Sequence, residues 1–150
     1  MSSTARRRIL RADGLFLIVV GTIQFLLELR AYYFGVGPAS GLIRDAPHTV
    51  IGFIEAHGLA IIMGVLFARA VPTRSWHLAG AAVHVLLGTA NLVFWQIFVA
   101  ADVLPMGYGS TAIHWILVVL QLWAAAASPG RIPEEGRGKA LPLVGQEPSV

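Results

Sequence analysis

The fold is decided by the stretch TVIGFIEAHGLAIIMGVLFARAV, residues 49–71, an apolar run that carries one carboxylate and one histidine before it reaches Arg69. About 20 such residues are enough to cross the roughly 30 Å hydrocarbon layer of a bilayer as a helix. Three further stretches meet this requirement, at residues 13–34, 75–103 and 109–127. None of them alternates as a barrel strand would, so only helices are expected to cross. The sequence predicts an all-α, polytopic membrane protein with an antiparallel bundle of four transmembrane helices in residues 1–128.

The composition supports a membrane protein and excludes several classes of site. Of the 150 residues, 56% are hydrophobic and 13% are charged, whereas an average soluble domain has about 25% charged residues. The chain contains no cysteine, which excludes disulfides, thiol catalysis and iron–sulfur clusters. Its basic residues lie beside the predicted spans, so they indicate topology, and no nucleic-acid partner is expected.

The distribution of basic residues predicts the orientation. One side of the predicted bundle carries Arg6, Arg7, Arg8, Arg11, Arg69, Arg74, Arg131, Arg137 and Lys139, and the other side carries Arg30 and Arg44. The positive-inside rule then places both termini in the cytoplasm and the loop 35–48 outside. The short connection VPTRS predicts an antiparallel hairpin of spans two and three. Residues 129–150 are expected to form a disordered cytoplasmic tail. Arg-, Ala- and Gly-rich composition is typical of GC-rich bacteria, which suggests a bacterial cytoplasmic (inner) membrane.

Each predicted span contributes one polar residue at a similar depth. At about 1.5 Å per residue, Glu28, Glu55, Asn91 and His114 all lie roughly 21 to 24 Å from the cytoplasmic edge. Carboxylates inside a membrane are rare and usually mark a pathway, a ligand or a partner, because the charged form is costly in hydrocarbon. The sequence therefore predicts a polar layer in the outer half of the bundle, with Glu55 facing the interior. For Glu28, pairing with Arg30 or Arg44 near the outer interface is the alternative.

Two further patterns indicate helix faces. In span three His77, His84 and Asn91 recur every seven residues with Gly88 on the same stripe, which predicts that this stripe faces the bundle. In span two small residues recur every fourth position, at Gly52, Ala56, Ala60, Gly64 and Ala68. Such a small-residue ridge lets a neighbouring helix approach closely. Interhelical hydrogen bonding is the simplest explanation of the polar stripe.

Three chemistries fit the polar layer. Glu28, Glu55 and His114 could bind a divalent metal, since carboxylate and imidazole suit Zn, Mn or Fe, although no known metal-binding signature is present. His57 and His84 could be axial haem ligands. The layer could instead bind a small amphipathic molecule, such as a quinone head group or a lipid. The residues expected to bind it are Glu55, Glu28, Asn91, His114, His84 and Gln24. This third alternative requires the least specific arrangement of side chains, because a hydrogen-bonded ligand needs no fixed set of coordinating atoms.

Two quoted segments resemble a known family. Residues 14–29 read GLFLIVVGTIQFLLEL, and residues 54–69 read IEAHGLAIIMGVLFAR, followed by a tight basic turn and an Ala-rich third span. This layout resembles the DoxX-like four-helix membrane proteins, in which a Glu-x-x-Gly-type second helix and an Arg-bearing turn recur. The resemblance implies a small bacterial inner-membrane protein, in some members associated with quinone-linked electron transfer or redox stress. Only Glu55 and the glycines around it carry over residue by residue.

These patterns predict a small membrane protein that binds a ligand at a polar site in the bundle. The most specific form of this hypothesis is an accessory protein of quinone-linked or other redox reactions. One rival is a membrane enzyme that uses Glu28 and Glu55 as an acid–base pair on a lipid-like substrate, because two carboxylates in one dry site separate in proton affinity. The other rival is a structural subunit whose polar residues contact partner helices, in a homo-oligomer or a larger membrane complex. A haem or metal ion that co-purifies with the protein would indicate the haem or the metal alternative instead.

Overall fold

The structure, a computed structural model, describes residues 1–128, and these form helices and no strand. The helices are α1 (Ser3–Phe34), α2 (Ser40–Asp45), α3 (Thr49–Arg69), α4 (Arg74–Val93), α5 (Trp95–Ala100) and α6 (Leu104–Ala126). Four of them, α1, α3, α4 and α6, are long and apolar enough to cross a membrane. The all-α four-helix prediction is confirmed, and the chain is a multi-pass membrane protein. The predicted disordered tail, residues 129–150, lies outside the described residues.

The helix ends differ from the predicted spans at three places. Helix α1 begins at Ser3 rather than near residue 13, and the Ser2 hydroxyl caps it by accepting a hydrogen bond from the Ala5 amide at 3.2 Å. The predicted span 75–103 is broken at Phe94. The break lets the aromatic residues of α5 fold onto the start of α6, where the Trp95 and Tyr108 rings are 4.9 Å apart between centroids. Helix α6 begins at Leu104 rather than near residue 109, and Pro105 lies in its first turn, where a proline is well tolerated.

Helices α1 and α3 form one closely packed pair. A Cβ atom added at Gly64 of α3 would lie 2.7 Å from the Gly14 carbonyl oxygen of α1, and one at Gly14 would lie 2.6 Å from the Ala68 amide nitrogen. The small-residue ridge therefore works as predicted at Ala60, Gly64 and Ala68, toward the C-terminal end of α3. Toward the N-terminal end of α3, Gly52 and Ala56 are exposed, and nothing lies within 4 Å of a Cβ at Gly52. Positions four residues apart are rotated by about 40° round the helix, so this end of the ridge turns away from α1.

Helices α4 and α6 form the second close pair, so the predicted hairpin of spans two and three is not the main packing unit. Gly88 makes this pair close, because a Cβ there would lie 3.1 Å from Nε1 of Trp115. At the same end of the bundle as the α3–α4 turn, Arg6 Nη1 donates a 2.9 Å hydrogen bond to the Ala127 carbonyl. A cation is favourable at the C-terminal end of a helix such as α6.

Candidate functional site

A fully buried polar network joins the two helix pairs. Asp13, His77, His84 and Gln121 each have 0% of their surface exposed. Asp13 extends from α1 between α4 and α6, where its Oδ1 lies 2.7 Å from His84 Nε2 and its Oδ2 accepts a hydrogen bond from Gln121 Nε2. A buried carboxylate requires such partners, because an unpaired charge in this environment costs several kcal/mol or more. The network is therefore a principal connection between α1 and the α4–α6 pair.

The network extends at both ends through histidines. His84 Nδ1 lies 2.9 Å from Nδ1 of His114, and His77 Nδ1 lies 2.6 Å from Gln121 Oε1. An amide oxygen can only accept, so His77 Nδ1 must carry its proton. The second nitrogen of His77, Nε2, is buried without a partner. Leaving such an acceptor unpaired costs on the order of 1 to 3 kcal/mol.

The local sequence explains this placement. Residues seven apart return to nearly the same face of a helix, so His77, His84 and Asn91 share one side of α4. The prediction that this stripe faces the bundle is confirmed for His77 and His84, and Gly88 on the same stripe is buried. A glycine is also needed at position 80, because a Cβ there would lie 2.9 Å from the side chain of Gln121.

A cavity of about 280 Å³ lies beside this network, between the four long helices. It is mainly apolar, and the aromatic residues Phe53, Phe94 and Phe98 belong to its lining. The polar residues that line it come from the four long helices: Gln24, Glu28, His57, Asn91, Ser110 and His114. A mainly apolar cavity with a few convergent polar groups is the usual form of a small-molecule site.

Glu28 provides the carboxylate among the residues that line the cavity. It is 7% exposed, and its Oε1 lies 2.7 Å from Nδ1 of His57. The angle between the two groups falls outside hydrogen-bond geometry, so the contact is an electrostatic one when His57 is protonated. The other carboxylate oxygen, Oε2, is buried and has no hydrogen-bond partner. The Glu28 carboxylate therefore lines the cavity with unused capacity to accept a hydrogen bond.

His114 connects the cavity to the buried network. Its side chain lines the cavity while its Nδ1 faces His84. Its second ring nitrogen, Nε2, makes no hydrogen bond within the described residues. On the same wall, Asn91 Nδ2 donates to the Ser110 hydroxyl at 3.1 Å. A ligand in the cavity would therefore be one imidazole away from the Asp13–His84 pair.

The structure brings together most of the predicted polar layer but not all of it. Glu28, Asn91 and His114 line one cavity with Gln24, and His84 lies behind His114. Glu55 is exposed and is absent from the cavity lining, so the prediction that it faces the interior is wrong. Two residues along a helix correspond to a rotation of about 200°. Because His57 faces the cavity, Glu55 must point to the opposite side of α3.

The metal and haem alternatives gain no support from this geometry. No group of three or more His, Cys, Asp or Glu that could hold a metal ion occurs among residues 1–128. Glu55 is too far round its helix to join Glu28 and His114 as a ligand. For haem, both ring nitrogens of His84 are engaged, one by Asp13 and one by His114. His57 lies against Glu28 instead.

Sequence reasoning missed Asp13, which it took as the edge of the first span. A usable signal was present: Leu10, Asp13 and Leu17 are spaced by three and four residues, as on one helix face. Both leucines are buried, at 1% and 2% exposure. An acidic residue on such an apolar stripe is more consistent with a buried partner than with a helix end.

No protein-family model, no curated protein and no solved structure matches the chain. The function is therefore argued from the cavity and from the network that adjoins it.

Proposed function

We propose that this membrane protein binds a small amphipathic molecule in the cavity, with a ring-sized polar head group held among Glu28, Asn91 and His114. The apolar part of the ligand would lie against the phenylalanines of the lining. The observation that carries the proposal is Glu28, a carboxylate that lines a 280 Å³ cavity while it is only 7% exposed and has one oxygen, Oε2, without a hydrogen-bond partner. A buried polar atom without a partner calls for an explanation, and a bound hydroxyl group would provide it.

A quinone-type head group fits these features best. It is a ring of suitable size, its oxygens can accept from Asn91 and His114, and its reduced form offers a hydroxyl to Glu28. The resemblance to DoxX-like proteins points in the same direction, toward a quinone- or redox-linked accessory. Basic residues at the inner ends of the helices favour a bacterial inner membrane with cytoplasmic termini.

The exposed Glu55 supports a second role, contact with a partner in the membrane. Its carboxylate lies on an exposed apolar surface of α3 that includes Ile51, Leu59 and Ile62. A carboxylate facing lipid is costly, and a partner helix would offset that cost. This role is compatible with ligand binding. An acid–base pair of Glu28 and Glu55 has no support, because Glu28 lines the cavity whereas Glu55 is exposed on the surface of α3.

The proposed function is tested by binding of a short-tailed ubiquinone analogue to the purified protein in lipid nanodiscs. Quenching of tryptophan fluorescence measures the dissociation constant. Glu28→Gln keeps the shape of the side chain but removes its charge, and should weaken binding about tenfold, as expected for one charge-assisted hydrogen bond. Glu55→Gln is the matched control on the exposed face and should bind as the unmodified protein does. Equal binding by both variants, or no saturable binding at all, would contradict the proposal.

A further inference from the structure

Asp13, His84 and His114 form a chain of two hydrogen bonds, and each bond contains one proton. The first lies between Asp13 Oδ1 and His84 Nε2, at 2.7 Å, and the second between the Nδ1 atoms of His84 and His114, at 2.9 Å. Two nitrogen atoms at this distance require a proton between them, because two lone pairs would repel each other. Any third proton in the chain must therefore reside on His114 Nε2, the ring atom left for the cavity.

The proton count fixes the charge of the chain. With two protons it consists of an Asp13 carboxylate and two neutral imidazoles, and its net charge is −1. With three protons it is neutral overall, as an Asp13 carboxylate beside a His84 imidazolium. Burial favours the neutral state, since an uncompensated charge is costly inside a membrane protein. In this state His114 Nδ1 accepts from His84, and His114 Nε2–H is a donor toward the cavity.

We propose that His114 is a proton relay, and that the Asp13–His84 pair is the buried proton reservoir that it connects to the cavity. The proposal rests on the proposed function in that a ring oxygen of the cavity ligand is the partner in the exchange. The ligand class it implies is a molecule with an ionisable ring hydroxyl. His114 would touch this ligand directly, whereas Asp13 and His84 act through His114 as positioning residues.

The transfer involves protons only. When a ligand oxygen anion takes the proton from His114 Nε2, the N–H bond there breaks and an O–H bond forms. The Nδ1 proton of His84 then moves to His114 Nδ1. The ligand becomes neutral, His84 becomes a neutral imidazole that still donates to Asp13, and the chain gains a charge of −1. Nothing is oxidised or reduced, and the reverse sequence returns the proton.

Several charged or titratable groups surround this chain. His84 faces Asp13 on α1 and His114 on α6, and the ring centroid of Phe16 lies 6.3 Å from that of His84. Gln121 links Asp13 to His77. Across the cavity from His114 are the Glu28 carboxylate and His57, a second pair that can be neutral overall. Their titration would affect His114 by charge alone, whereas His84 is coupled to it by a shared proton.

The relay is tested by ¹⁵N NMR of the full-length protein, labelled at histidine, in lipid nanodiscs without ligand. The ¹⁵N shifts identify which ring nitrogen of each histidine carries a proton across a pH series. We expect one coupled change: as His84 loses its imidazolium signal, His114 remains neutral and its proton moves from Nε2 to Nδ1. If His114 keeps the same protonated nitrogen while His84 titrates, or becomes an imidazolium by itself, the relay is refuted.

A variant and a probe separate this result from that of ligand binding. His84→Gln interrupts the chain, and His114 should no longer change tautomer; if this variant does not fold, the pH series on the unmodified protein decides. The probe is 4-nitrophenolate, whose visible absorption is lost when it is protonated. On binding, it should lose this band while His114 changes to Nδ1–H. Without saturable probe binding the proposed function is weakened and the pH series still decides the relay; binding with no change at His114 refutes the relay alone.

Discussion

Replacing Gly64 by alanine should separate α1 from α3 and destabilise the bundle. The added Cβ would lie 2.7 Å from the Gly14 carbonyl oxygen and 2.9 Å from both the amide nitrogen and Cγ1 of Ile18. The first two contacts are with backbone atoms, so a side-chain rotation cannot relieve them. To reach 3.4 Å, where ordinary van der Waals contact begins, the helices must move apart by about 0.7 Å. Overpacking of this kind typically costs about 1 to 3 kcal/mol.

The chain offers a matched control on the same helix. Gly52→Ala makes the same chemical change at a position where nothing lies within 4 Å of the new Cβ. Alanine is the better helix former, by up to about 1 kcal/mol, so this variant should be as stable as the unmodified protein or slightly more so. Thermal unfolding in detergent, followed by circular dichroism, measures both. Equal stability of the two variants would refute the close packing of α1 on α3.

Three further predictions concern the network, the exposed carboxylate and the topology. Gln121→Leu leaves His77 Nδ1 and Asp13 Oδ2 without partners and should cost roughly 2 kcal/mol or more in thermal unfolding; unchanged stability would mean that the amide bridge is not formed. Glu55→Gln should leave the thermal stability of the monomer unchanged or slightly higher, because the residue is exposed and the substitution removes a charge from the apolar surface of α3; a loss of stability would place it inside the bundle. Reporter fusions should locate the C-terminus in the cytoplasm, and an external C-terminus would reverse the proposed orientation.

The architecture could be predicted because span length and apolar composition are properties of single segments. The helix stripe of α4 was also predictable, since its polar residues stand out at a spacing of seven on an apolar background. The break at Phe94 was not, because nothing in the local sequence indicates that Phe98 packs against Gly107 in another helix. A Cβ at Gly107 would lie 2.8 Å from the Phe98 ring, so the contact requires a glycine there.

The site was harder to predict because α3 carries apolar residues on every side, including the exposed Ile51, Leu59 and Ile62. Its hydropathy therefore does not show which face is buried, and Glu55 was placed inward by its charge alone. The better guide was the spacing of Val50, His57 and Gly64, which lie seven residues apart and point into the bundle together. Asp13 was missed because the first predicted span begins at residue 13, which leaves this side chain outside the predicted polar layer. Only the structure brings it to His84, which is 71 residues away in sequence.

The most direct test of the proposed ligand site is photolabelling of the protein in lipid nanodiscs with an azido-quinone, followed by mass spectrometry of the labelled peptides. Labelling should occur at cavity-lining positions of α1 and α6, in residues 20–28 and 106–114, and excess short-tailed ubiquinone should prevent it. Glu28→Gln should reduce the labelling at equal probe concentration. Labels confined to the exposed face of α3 around Leu59 and Ile62, and unaffected by the competitor, would contradict the account.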